Sequence, residues 1–165
     1  RLILCGLISI SSLLAFGQVD ARVERIIDAD TYVLRIDGES TTCRLANIDA
    51  PELKQAYGLK AKLYVEELFY HKNLKVKITD TDLYGRSIVE VETDQGALDS
   101  LLVANGYAWH YAKYSQKPTL QNLMEEAIEK RIGLWKCGKE KVCPPWLFRG
   151  YNKRNRQLYC QGCGR

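Results

Sequence analysis

Histidine is nearly missing from this 165-residue chain, which has only His71 and His110, and that scarcity removes two large classes of chemistry. Metal centres built on imidazole need several histidines at ligand spacing. Ser-His-Asp hydrolysis needs one histidine beside both a nucleophile and an orienting acid. No glycine-rich loop of the phosphate-cradling kind is present, and neither an internal repeat nor a low-complexity linker interrupts the chain. A hydrolase made from what remains would have to use carboxylates and a hard cation in place of imidazole.

Long apolar runs are missing too, with one exception. Residues 2–17, behind Arg1, are apolar and end in small residues at Ala15 and Gly17. The run is too short to span a bilayer and is broken by serines. It reads as a secretory signal over residues 1–21, cut after Gly17 or after Ala21; an amino-terminal membrane anchor is the alternative. No cysteine follows the small residues, so a lipoprotein anchor is not indicated. The expectation is a secreted or periplasmic protein with no stable membrane association after signal cleavage.

The chain as a whole has a globular composition, 46% hydrophobic and 27% charged, with 24 Lys+Arg against 20 Asp+Glu and a pI near 8.7. That is one domain with short extensions and a mild lean toward polyanionic partners. Alternation predicts strands over 23–27, 31–36, 41–48, 73–79 and 87–92, with Asp37-Gly38 turning the second into the third. Ala61, Tyr64, Val65, Leu68 and Phe69 make the apolar face of a helix within 55–70. Leu98, Leu101 and Leu102 mark a second helix. Leu120, Leu123, Met124, Ala127 and Ile128 mark a third, opened by Pro118 and ended by Gly133. Five strands with three packed helices suit an α+β, mainly β class: a five-stranded barrel of the OB-fold plan, one face of which commonly binds oligonucleotides.

Charge gathers in three clusters of this frame: Asp28-Ala29-Asp30-Thr31, Arg44 through Asp49-Ala50-Pro51-Glu52, and Asp82-Leu83-Tyr84-Gly85-Arg86. Each alone is what an ordinary turn contains. The segment from Asp80 even imitates the start of an EF-hand loop, but its twelfth position is Val91 and its flanks read as strands. As one site the clusters make chemical sense. Asp30 and Asp49 reach one cation if their strands are neighbours, and so few charges imply weak calcium binding, roughly 10⁻⁴ to 10⁻³ M. Glu52, three residues past Asp49, can orient or deprotonate a water. Arg44, projecting from mid-strand among apolar neighbours, needs an anionic partner; it and Arg86 can grip phosphate oxygens in the forked geometry that lysine lacks.

Together with Gly133-Leu134-Trp135, these motifs, in this order and with matching gaps, resemble the staphylococcal nuclease (thermonuclease) family over residues 22–149. The resemblance implies a calcium-dependent endonuclease that cuts DNA and RNA to 3′-phosphate products; separately, a monomer is the expected state. It assigns Asp30, Asp49 and the Ala50 carbonyl to Ca²⁺, Asp28 to the metal's surroundings, Glu52 to the general base, and Arg44 and Arg86 to the phosphate. Tyr84 and Tyr114 match positions that face the nucleotide. Two residues depart from the family pattern: Ala29 where Gly is usual, which could tighten the metal turn, and Leu83 where a basic residue is frequent. A non-catalytic nucleic-acid-binding OB-fold module is the rival from another class. Tyr107 and Trp109 read as core.

Residues 150–165 form a basic, cysteine-containing tail. Cys43 reads as a buried apolar residue. Cys137, Cys143, Cys160 and Cys163 suit two disulfides in an exported protein, with a four-thiolate zinc site as the alternative. Arg149, Lys153, Arg154 and Arg156 add phosphate affinity or solubility.

Overall fold

The computed structural model describes residues 17–70 and 72–162. His71, Cys163 and the expected signal as far as residue 16 lie outside the described residues. Strands β1 (Val19–Ile26), β2 (Thr31–Ile36) and β3 (Glu39–Leu45) form an antiparallel meander, the last two joined at Asp37-Gly38. A two-residue strand, β4 (Ile48–Asp49), leads to helix α1 (Gly58–Phe69). Strands β5 (Leu74–Thr81) and β6 (Ser87–Thr93) make a hairpin, extended by β7 (Gly96–Ala97). β1 pairs antiparallel with β5, and β3 pairs parallel with β6 through Cys43–Ser87, Arg44–Ile88 and Leu45–Val89. Those two pairings close β1, β2, β3, β6 and β5 into the expected five-stranded barrel.

The alternation seen in the sequence explains the interior. Tyr32, Leu34, Cys43, Leu45, Leu74, Val76, Val89 and Val91 are all buried inside, each Val or Leu contributing about 1.5 to 3 kcal/mol on burial. The α1 stripe of Ala61, Val65, Leu68 and Phe69 closes one end. Helices α2 (Leu98–Ala104) and α3 (Pro118–Glu129), separated by β8 (Trp109–His110), cover another side. Tyr107 stacks on Tyr64 and Trp109 is buried against Trp135, both in the packing roles read for them. Gly106 and Gly133 let the chain after α2 touch the chain after α3. Both have positive φ, Leu134 donates to the Gly106 carbonyl at 2.9 Å, and a Cβ on Gly133 would lie 2.4 Å from that carbonyl.

Three sequence expectations change. The third strand does not run to Ile48. Asn47 takes a left-handed conformation (φ 69), which Asn tolerates better than most residues, and its side chain donates to buried Asp99 at 2.9 Å. The chain therefore leaves the barrel after Leu45, and Ile48–Asp49 pair with β8 instead. β1 starts earlier than residue 23: Val19, Asp20 and Ala21 pair with Val76, Lys75 and Leu74, and Ala21 is buried. Two further helices join the three expected. α4 (Pro145–Gly150) crosses the border drawn at residue 150, and α5 (Lys153–Tyr159) lies in the tail. Among the described residues no helix is long and apolar enough to cross a membrane.

Candidate active site

The site begins at the β1–β2 turn. Asp28 accepts the Asp30 backbone N–H (3.1 Å), and the Ala29 carbonyl accepts the Tyr32 hydroxyl. Ala29 is fully buried and is not among the positive-φ residues, so its methyl packs without the backbone strain that a glycine position would suggest. The Thr31–Arg44 register and the Leu45 N–H bond to the Asp30 carbonyl (2.7 Å) set Arg44 beside Asp30. The break at Asn47 then turns Asp49 back toward the same point. Arg44 Nη2 lies 3.1 Å from Asp30 Oδ2 and 2.9 Å from Asp49 Oδ1, while its Nη1 donates to the Leu45 carbonyl. Asp30 Oδ2 also accepts the Ala50 N–H at 2.6 Å. Five predicted residues, Asp28, Asp30, Arg44, Asp49 and Ala50, are therefore brought together.

Burial gives this group its electrostatic character. Asp49 is fully buried and Asp30 is 5% exposed. Burial raises the Asp49 carboxyl above the usual range, although the hydrogen bond from Arg149 opposes the shift. Asp28 is pushed up to about 7 by burial and then by the neighbouring Asp30 charge. Carboxyls crowded out of water hold their protons unless positive charge joins them.

Glu52 enters the group through a residue to which the sequence reading gave only phosphate affinity or solubility. Arg149, on α4, donates Nη1 to Glu52 Oε1 (2.9 Å) and to Asp49 Oδ1 (3.2 Å), and Nη2 to Asp49 Oδ2 (2.8 Å). Burial works against the Arg149 charge, but the bonds to Asp49 and Glu52 outweigh it and hold the guanidinium protonated more firmly than usual. Its sequence signal was faint: Pro144-Pro145 opens a helix inside a cysteine-bracketed loop, placing Trp146 and Arg149 one turn apart.

Arg86 stands at the entry to β6, next to the β3 strand that carries Arg44. Its guanidinium does not join the acidic group. Asp82 organises that loop, accepting the Tyr84 and Arg86 N–H groups on Oδ1 and Arg86 Nε on Oδ2 (2.7 Å). Tyr84 and Leu83 are exposed at the tip, with Arg86 5.7 Å from the Tyr84 ring centroid. Tyr114 is also exposed and ends a chain of ring contacts. Trp135 packs on Trp109, Trp109 on Trp146, Trp146 stacks on Tyr111 (5.6 Å, 4° between planes), and Tyr111 meets Tyr114. This chain seats α4 on β8, beside Asp49.

The cysteines follow the disulfide reading rather than zinc. Cys143 is bonded to Cys160, and Cys137 is disulfide-bonded as well. Cys43 is a buried free thiol, raised to about 11 by burial. Among the described residues no group of three or more His, Cys, Asp or Glu is arranged as a ready-made metal cage.

Residues 42–137 match the family model described as "Staphylococcal nuclease homologue". The chain is 34% identical to an uncharacterized endonuclease of Escherichia coli O157:H7, over 81% of this chain and 86% of that protein. It is 30% identical to a micrococcal nuclease of Shigella flexneri over 93% of both chains. A probable staphylococcal-like nuclease of Oryza sativa subsp. japonica is 37% identical over 68% of this chain and 33% of its own length. A family model covering more than half of the chain, laid over a closed barrel with its acidic and arginine residues converging, shows that this protein belongs to the staphylococcal nuclease family.

Proposed function

We propose that the protein is an exported, calcium-dependent endonuclease that hydrolyses the phosphodiester bonds of DNA and RNA to 3′-phosphate products and acts as a monomer. One observation carries the reading: buried Asp30 and Asp49 share a single Arg44 nitrogen, with Glu52 tied alongside. Burying two carboxylates is costly even when they are paired, which favours a site that uses them over a binding-only barrel.

The donor set fits a hard cation. Among the described residues, Asp30, Asp49 and Glu52 pair with two guanidinium groups, Arg44 and Arg149, Asp28 stands beside Asp30, and every ligand atom these side chains offer is oxygen. Asp30, Asp49 and the Ala50 carbonyl would hold Ca²⁺, and Asp28 would support them. When bound, the ion supplies Lewis-acid stabilisation of charge on a phosphate oxygen. The chain's own residues do the rest. Glu52 orients a water for in-line attack and accepts its proton. Arg44 and Arg86 donate to the non-bridging oxygens as their charge grows. Arg86 exchanges Asp82 for phosphate, which replaces one charged acceptor by another at a partly exposed loop. The exposed rings of Tyr84 and Tyr114 offer stacking faces to bases, worth about 1 to 3 kcal/mol each.

Disulfide bonding supports export, since such bonds persist in oxidising compartments. The pairing of Val19 to Ala21 in β1 supports cleavage after Gly17, which leaves that strand whole. The test is incubation of the purified protein with plasmid DNA and with RNA, in calcium or in chelator. Degradation in calcium alone is expected. Intact substrates in calcium would leave the non-catalytic binding module as the better reading.

A further inference from the structure

Glu52 sits on a loop whose fixed contacts lie on the C-terminal segment. Its carboxylate has one side-chain partner among the described residues, Arg149. Its backbone N–H donates to Gln55 Oε1 (3.1 Å), and buried Gln55 in turn donates Nε2 to the Cys143 carbonyl. The Cys143–Cys160 disulfide closes the segment, and Arg156 donates to the Phe148 carbonyl (2.7 Å) and the Arg149 carbonyl (3.3 Å), fixing α4 from behind. Gly162 abuts Ala56 so closely that a Cβ there would come within 2.7 Å of the Ala56 methyl.

The consequence is geometric. Asp49 is fully buried and held in a strand paired with Trp109, whereas Glu52 is partly exposed on a loop without regular structure. A planar guanidinium that binds both Asp49 oxygens and one Glu52 oxygen sets the two carboxylates at a fixed separation, which a lysine's point charge does not reproduce. A base displaced by about 1 Å can lose 10²-fold in rate.

We propose that Arg149 is a positioning residue that holds Glu52 in register with Asp49, and that the disulfide-closed C-terminal segment is thereby a structural part of the active site. The inference rests on the nuclease reading, with Glu52 as the base.

The test is a double-mutant cycle of Arg149→Ala and Glu52→Gln, with Arg149→Lys alongside, measuring kcat and KM on single-stranded DNA in calcium. Arg149→Ala is expected to lower kcat by roughly 10- to 10²-fold with KM within about twofold, Arg149→Lys to restore part of it, and Arg149→Ala to add less than about twofold in the Glu52→Gln background. A second readout needs neither metal nor substrate: amide exchange over residues 52–57 should quicken in Arg149→Ala while β1–β3 stay protected. Unchanged kcat and exchange, a rise in KM alone, a gain in activity, or losses that multiply in the double variant would overturn the proposal. If Arg149→Ala loses its melting transition, Arg149→Lys carries the same cycle. Cleavage by the wild type with an unaffected Arg149→Ala removes only this inference; no cleavage by the wild type removes the nuclease reading and this inference together.

Discussion

Gly58→Ala perturbs the proposed base without touching a charged group. Gly58 opens α1 directly against the Glu52 backbone, and a Cβ there would stand 2.0 Å from the Glu52 carbonyl oxygen and 2.7 Å from its carbon. To reach even 3.0 Å the carbonyl must retreat about 1 Å, against the hydrogen bond it accepts from Gln55 at 2.7 Å. Overpacking of this size costs about 1 to 3 kcal/mol, and the better helix propensity of alanine returns about 1 kcal/mol. The net loss of stability is thus about 0 to 2 kcal/mol. At roughly 2 to 4 °C per kcal/mol for a domain of this size, the melting midpoint falls by less than about 8 °C. Displacement of the Glu52 loop by the same 1 Å should cost about 10²-fold in kcat. Thermal melting followed by circular dichroism and steady-state cleavage of single-stranded DNA read the two effects separately. A variant with wild-type kcat would refute the claim that Glu52's position limits the reaction.

Other outcomes follow from the same geometry. Glu52→Gln and Arg86→Ala should each lose at least about 10²-fold in cleavage rate while retaining DNA binding by fluorescence anisotropy; near-normal rates would remove their assigned roles. Cys143→Ser/Cys160→Ser opens a loop with a sequence separation of 17, whose closure is worth about 3 kcal/mol. Activity in this variant should drop toward that of Arg149→Ala, and full activity would show that the segment needs no staple. Mass spectrometry of the exported protein should find Gln18 at the amino terminus. A start at Arg22 would mean that β1 dispenses with its first three residues.

The barrel was legible because its strands obey strict alternation: Leu74, Val76 and Ile78 announce β5 almost unaided. Asp30 and Arg44 were each legible as site residues, but the ion pair between them was not read, although the two-residue turn at Asp37-Gly38 fixes the β2–β3 register that sets them side by side. The break at Asn47 was not, since a single left-handed residue leaves no periodic trace and a two-residue strand is too short to show one. Arg149 was hidden more deeply. It lies 100 residues from Asp49 in sequence, and only the fold-back set by Cys143–Cys160 and by the stacking of Trp146 on Tyr111 brings it to the site. Four cysteines can pair in three ways, and no local rule chooses among them. Arg86 shows the opposite case, a residue found by its motif whose guanidinium rests on Asp82.

The most direct measurement is cleavage of an end-labelled DNA oligonucleotide and its RNA counterpart by the purified protein across a calcium titration, with the chemistry of the new ends determined. The account predicts cleavage of both, 3′-phosphate ends, half-saturation near 10⁻⁴ to 10⁻³ M calcium as expected for so few carboxylate ligands, and complete loss in chelator. Intact strands at saturating calcium, or undiminished cleavage in chelator, would contradict it.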